Sequence, residues 1–359
     1  IIYYLFNISN GTLHISLLDT PLLSTKRPFY IIGHMVNSID EINHYLNQGA
    51  NAIEADIHFS PNGSAVSTFH GFPCDCFRHC NYQQDLIEYL IHMNKLTTPN
   101  SSIYNSKLAL FYMDLKISQL TNESKANAGV DLANKLITYL FNGQDKTRIK
   151  VIISIAQFND KIVLLNLIEE FNKRKMNHLI KSIGFDICLN DPMDCVKRMK
   201  LDNHLEHLNI WQGNGITNCL SPFFDISIVR QSVAQRNDPN SYVKKVYHWT
   251  VDFTEQIKII MRHDVDGLIT NYPDRVVSVI ANNKKLTNRF RIADHNDNPF
   301  DKVLIGSEQA DGQIIYEKSE DQFKESMFTF QQVSLMQVFI NGLLDSINSL
   351  KSYFQYLLI

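Results

Sequence analysis

Tyr30-Ile31-Ile32-Gly33-His34-Met35, followed by Asn51-Ala52-Ile53-Glu54-Ala55-Asp56-Ile57, is the stretch on which the fold turns. Each half is a short apolar or alternating run that delivers a polar side chain at its end, and the amphipathic segment 38–48 separates them. The same alternation continues down the chain. Candidate strands fall at 30–34, 51–57, 107–115, 149–155, 181–186, 207–211, 244–251 and 266–270. Amphipathic stretches at 38–48, 124–141, 160–174, 224–235 and 253–262 lie between them, several opened by Asp, Ser or Thr. Eight strands, most followed by a helix, predict an α/β fold of the (β/α)8 TIM-barrel type. Such barrels carry their chemistry at the C-terminal ends of the strands. On this reading His34 ends strand one, Glu54 and Asp56 lie near the end of strand two, and Asp114 and Lys116 end strand three. Trp249 and Asp252 follow at strand seven and Asn271 at strand eight, so five strands bring reactive side chains to one rim.

Carboxylates two residues apart on a strand point to one side, which lets Glu54 and Asp56 grip one hard cation. Asp114 on the neighbouring strand adds a third, and three such groups repel one another unless a cation neutralises them. All-oxygen ligation suits Mg²⁺ better than zinc. His34 and His70 flank these carboxylates and titrate in the range needed to move a proton near neutral pH. Such a set suits phosphodiester cleavage. Among the thirteen histidines, His44, His79, His204 and His263 read as structural or surface groups. Lys116 shares its strand side with Asp114, where it is placed to meet a phosphate oxygen. Asp75 is a candidate to hold one imidazole in its tautomer.

A net charge of −3 over 359 residues gives no reason to expect a nucleic-acid partner. No apolar run reaches the ~20 residues of a bilayer span, and Tyr3-Tyr4-Leu5-Phe6 is too short for a signal core, so any leader is expected to be absent or truncated. Three of the six cysteines crowd into Cys74-Asp75-Cys76-Phe77-Arg78-His79-Cys80, a spacing that suits disulfides in an oxidised, secreted protein better than a zinc site. Sequons at Asn7, Asn10, Asn62, Asn100 and Asn122 fit a secretory route. Residues 58–106, rich in Pro, Gly, Asn, Ser and Cys, read as a long loop after strand two that carries His70. Residues 1–28 read as an N-terminal extension, 29–300 as the barrel with its tail, and 301–359 as a C-terminal extension of unknown role. Within that last extension, 323–358 has helix-like apolar spacing.

Further runs complete the pattern: Met113-Asp114-Leu115-Lys116, Trp211-Gln212-Gly213-Asn214-Gly215-Ile216-Thr217-Asn218-Cys219, and Val246-Tyr247-His248-Trp249-Thr250-Val251-Asp252. Asp266-Gly267-Leu268-Ile269-Thr270-Asn271-Tyr272-Pro273 and Phe290-Arg291-Ile292-Ala293-Asp294-His295-Asn296-Asp297-Asn298-Pro299-Phe300 close it. In this order, over 29–300, the chain resembles the secreted phospholipases D of spider venoms and their arachnid relatives. These are the sphingomyelinase D toxins, which belong to the glycerophosphodiester-phosphodiesterase-like barrels. The resemblance implies catalytic His34 and His70, metal ligands Glu54, Asp56 and Asp114, and disulfides Cys74–Cys80 and Cys76–Cys219. It also implies a head-group site drawn from Lys116, Tyr247, Trp249, Asp252 and Asn271, whose aromatics suit a quaternary ammonium. Cys188 and Cys195 fall outside the toxin pattern but are close enough to pair with each other. The chain departs from the pattern at His248, Asn214 and Phe300, none of them a catalytic position.

The expectation is therefore a secreted, monomeric, Mg²⁺-dependent phospholipase D that works at a membrane surface on choline lipids such as sphingomyelin and lysophosphatidylcholine. It would release choline and leave a cyclic phosphate, because the lipid's own hydroxyl outcompetes water. A glycerophosphodiester phosphodiesterase that uses water, and an inactive lipid-binding barrel, are the alternatives.

Overall fold

The structure, a computed structural model, describes residues 26–72, 74–187, 198 and 208–302, together with the backbone of 5–9 and 12–16. The segment holding Cys188 and Cys195, and the 323–358 stretch, lie outside the described residues. Leu5–Ser9 and Thr12–Ser16 pair as an antiparallel hairpin.

Eight parallel strands form the barrel: β1 (Arg27–Gly33), β2 (Ala52–Phe59), β3 (Leu110–Lys116), β4 (Lys150–Ile155), β5 (Ile183–Ile187), β6 (Ile210–Gly215), β7 (Val243–Trp249) and β8 (Gly267–Thr270). Each pairs with the next, and β8 returns to β1 to close the sheet. The strands read as near-continuous apolar runs because both faces are covered. On β1, Phe29 and Ile31 join the large core beneath the helices, whereas Tyr30 and Ile32 face inward. Tyr112, Trp211, Tyr247 and Ile269 fill the rest of the interior. The tail closes the floor: Phe290–Ile292 pairs with the start of β1, Phe300 packs inside, and the Trp211 indole donates to the Pro299 carbonyl at 2.9 Å.

Helices α1 (Ile39–Asn47), α2 (Leu86–Thr97), α3 (Asn122–Lys135), α4 (Lys161–Lys173), α5 (Asn177–Ile180), α6 (Ser227–Asn237), α7 (Thr254–Arg262), α8 (Pro273–Asn282) and α9 (Lys284–Arg289) surround it. Ser38 and Glu41 form a capping box that starts α1 directly after the His34 rim position. The 58–106 segment is less of a loop than its composition suggests. It contains Ala65–Phe69, which pairs antiparallel with β2, and Gln83–Asp85 beyond it, and then α2. Asp85 caps α2 through the Ile87 and Glu88 amides, and Leu86, Tyr89, Leu90 and Met93 bury one helix face. The Pro, Gly and Asn content of the segment points to a loop, whereas the spacing of Leu86, Tyr89, Leu90 and Met93 is that of a helix.

Candidate active site

Strand register assembles the acidic centre. Asp56 of β2 pairs with Asp114 of β3, Asp114 with Ser154 of β4, and Ser154 with Asp186 of β5, so one layer of polar side chains crosses four strands. Glu54 lies two residues below Asp56. Glu54, Asp56 and Asp114 bring carboxylate oxygens within 4.8 Å of one another, and the first two are buried. Each is held. The Met35 amide donates to Glu54 Oε2 at 2.6 Å, and the Asn37 amide group donates to Asp56 Oδ2 at 2.7 Å. Lys116 Nζ lies 2.8 Å from Asp56 Oδ1 and 2.6 Å from Asp114 Oδ2.

The electrostatics show why a cation fits. Burial, then the charge of Asp56, pushes the Glu54 carboxyl up to about 8. Burial also works against Asp56 ionising, but Lys116, His70 and the Asn37 hydrogen bond outweigh it and hold this carboxyl low. One lysine thus faces three clustered carboxylates, and the donor set is all oxygen. Such a cluster can hold a divalent metal.

Each histidine is fixed through its Nδ1. His34 Nδ1 lies 3.0 Å from Asp75 Oδ2 and 3.2 Å from Asn271 Oδ1. Burial opposes the imidazolium, but the Asp75 carboxylate, with help from Glu54 and Asp56, outweighs it and pushes His34 up to about 9. Asp75 in turn accepts from Thr217 Oγ1 at 2.6 Å and from Asn271 at 3.1 Å, and its own carboxyl is held far down. His70 Nδ1 lies 2.8 Å from the Gly71 carbonyl. A carbonyl only accepts, so Nδ1 carries the hydrogen and Nε2 is left as the acceptor. Both imidazoles lie in the field of Asp56.

The remaining expected residues divide into two groups. Lys116 is one-third exposed at the rim, and Trp249 is half-buried against the inner cluster. Tyr247 is fully buried below the rim, where its hydroxyl meets Asp186 Oδ2 at 2.5 Å and the Tyr112 hydroxyl at 2.6 Å. Asp252 is 2% exposed; its oxygens accept from Thr270 Oγ1 (3.0 Å), the Asn271 amide (2.8 Å), the Asn218 side chain (2.8 Å) and the Asn271 side chain (2.8 Å). Asn271 is likewise buried, bridging Asp252 to Asp75 and His34. Tyr247, Asp252 and Asn271 hold the site from beneath. Gly213 and Gly215 make room for the aromatics: a Cβ at 213 would lie 2.1 Å from the Tyr247 ring, and one at 215 would lie 1.7 Å from the Trp249 carbonyl oxygen.

Disulfides Cys74–Cys80 and Cys76–Cys219 lace the His70 segment to the loop after β6. Three supports carried no separate signal in the sequence. Asn37 braces Asp56, and Arg78 donates to the His34 and Met35 carbonyls at 3.1 and 3.2 Å. Asn218 bridges the Cys76 backbone and Asp252. Asp186, pushed up to about 6 by burial, is the fourth residue that sequence reading passed over. Of the three departures, Phe300 lies in the barrel floor, while Asn214 and His248 pair laterally. Burial pushes His248 down to about 4.

A closed parallel barrel whose C-terminal rim joins two histidines to an acidic cluster able to hold a metal defines the class: a TIM barrel with its candidate site at the C-terminal rim. Within that class the sequence is specific. The profile of the family described as dermonecrotic toxin SPH matches residues 24–300, and the chain belongs to that family. Dermonecrotic toxin SPH of Ixodes scapularis is 37% identical over 317 residues, covering 86% of this chain and 85% of the relative. Dermonecrotic toxin LarSicTox-alphaVII1 of Loxosceles arizonica is 38% identical over 279 residues, covering 76% of this chain and 99% of the toxin. Among solved structures, a phosphodiesterase of Oleispira antarctica in complex with sn-glycerol-3-phosphate aligns with a TM-score of 0.46 at 13% identity, over 70% of this chain and 97% of its own.

Proposed function

We propose that the protein is a secreted, monomeric phospholipase D of the sphingomyelinase D type, acting on choline phospholipids with Mg²⁺ as cofactor. The observation that supports it most is the meeting of His34, His70, Lys116 and the Glu54–Asp56–Asp114 cluster on one rim. Glu54, Asp56 and Asp114 would hold the metal, which when bound supplies charge neutralisation at the phosphate. Lys116 meets a phosphate oxygen from the rim. Trp249, packed against the inner cluster to which Tyr247 belongs, offers its ring to the quaternary ammonium. His70, with Nε2 as acceptor, takes the proton of the attacking hydroxyl. His34, held cationic by Asp75, gives a proton to the departing choline oxygen.

The nucleophile is the lipid's own hydroxyl, on the ceramide or the lysolipid glycerol, because an intramolecular group has an effective molarity of up to ~10⁵ M or more. The new P–O bond closes a ring as the P–O bond to choline breaks, which makes the reaction a lyase rather than a hydrolysis. Two disulfides fit an oxidising compartment, and among the described residues no helix is long and apolar enough to cross a membrane. Choline release from sphingomyelin, followed with and without EDTA, tests the reading. Mg²⁺-restored release supports it, and release that ignores chelation overturns it. Phosphorus NMR then separates the cyclic phosphate from the linear monoester that a water-using phosphodiesterase would form first.

A further inference from the structure

Among the described residues every exposed phenylalanine lies on the catalytic rim: Phe72 (77%), Phe77 (68%), Phe223 (64%) and Phe253 (44%). Leu220, at 41%, stands with them. These side chains come from three separate segments, yet those segments are tied together. Phe77 follows Cys76, Leu220 follows Cys219, and the two cysteines are joined. Asn218 bonds both the Cys76 backbone and Asp252, and Phe253 follows Asp252. The three tied segments therefore present their apolar groups together on the side of the rim that holds the His34–Asp75 pair.

A contiguous exposed apolar patch on a soluble domain marks a contact surface. Phe77 also has φ +64, a conformation that bulky residues rarely adopt, and it turns its ring outward at that cost. The groups stand out on the loops and the short helical turn that surround the mouth of the site, a placement that suits a fluid interface better than a fitted protein partner. Charge narrows the choice further. Among the described residues of 71–80, 216–225 and 252–255 no Lys or Arg is exposed, and the exposed acids are Asp225 and Glu255. An anionic lipid surface would call for the opposite sign. We propose that Phe72, Phe77, Leu220, Phe223 and Phe253 form a collar that seats the rim on a zwitterionic phosphocholine membrane surface. The proposal rests on the reading of the site as one for choline lipids, and it names the surface through which the site meets them.

The test uses the full chain and vesicles of diacyl phosphatidylcholine, a lipid without the free hydroxyl needed for cyclisation. Co-sedimentation compares the parent with Phe77→Asn/Phe223→Ser; asparagine is at ease at positive φ, and both positions are exposed. The parent should sediment with vesicles, and the double variant should bind roughly 30-fold more weakly. Turnover of vesicle sphingomyelin should fall in parallel, while turnover of monomeric short-chain lysophosphatidylcholine stays unchanged. Equal sedimentation of both proteins, or a parent that stays in the supernatant, overturns the proposal. So does an equal loss of turnover on the monomeric substrate, or a dimer that the variant dissolves without any vesicle binding. A parent that sediments but cleaves neither lipid contradicts the enzymatic reading and leaves the collar supported.

Discussion

The two ends of the barrel handle buried charge in opposite ways. At the floor, Asp266 lies 2.8 Å from Arg27 and 2.6 Å from Arg236, and Asp264 meets Arg27, Arg236 and Arg289. Burial opposes the Asp266 carboxylate there, yet Arg236, Arg27 and Lys245 outweigh it and hold it low. At the rim, burial and Asp56 push Glu54 up to about 8, although the cluster includes Lys116. The floor is neutralised by the chain itself. The rim carries an excess of negative charge, and that excess is what a metal ion would neutralise. Equal burial thus gives a stabilising network at one end and a reactive centre at the other.

Asp56→Asn should break the rim without breaking the fold. Turnover should fall on the order of 10⁴-fold, since charge neutralisation at phosphorus is worth several kcal/mol. The thermal midpoint should hold, because Lys116 keeps Asp114 as its partner at 2.6 Å and Glu54 loses a repelling neighbour; unchanged turnover in a choline-release assay would refute this account of the rim. Cutting the covalent lacing of the same end comes next. Cys76 and Cys219 are separated by 143 residues, and by the loop-entropy estimate Cys76→Ser/Cys219→Ser should cost about 4–5 kcal/mol in denaturant unfolding.

At the floor the pattern should reverse. Asp266→Asn leaves the fully buried Arg236 with Asp264, 3.7 Å away, as its remaining carboxylate, so stability should drop by about 3 kcal/mol while turnover per folded molecule is kept. A smaller effect is expected at Asp75→Asn, roughly 10²-fold in kcat. The sign of its pH dependence follows from His34. With Asp75 present, His34 is raised from 6.5 to about 9, so the proton it donates is retained until the pH climbs through about 9. The same raised value means that the charged pair stabilises the fold fully below pH 6.5 and that this contribution is lost as the pH rises through about 9. Without Asp75, the alkaline limb of the pH–rate profile should move to lower pH. A limb that stays in place would assign it to another group.

Much of this contrast was legible in the sequence, and unevenly so. The strands could be read because each is a short apolar run, buried on both faces, and the register of β2 with β3 then brings Glu54, Asp56 and Asp114 together. The supports were not legible. Asn37 looks like an ordinary residue before a helix cap, and its bond to Asp56 exists only once β1 and β2 are neighbours. Asn218, Arg78 and Asp186 act through partners 34 to 142 residues away, which no local pattern encodes. The 58–106 segment was misjudged for the converse reason: local turn residues masked the apolar face of α2, which packs on the barrel core.

The most direct test of the contrast is calorimetric titration of chelator-treated protein with Mg²⁺. The account predicts one site in the parent and in Asp266→Asn, and none in Asp114→Asn. Binding that survives Asp114→Asn undiminished would contradict it.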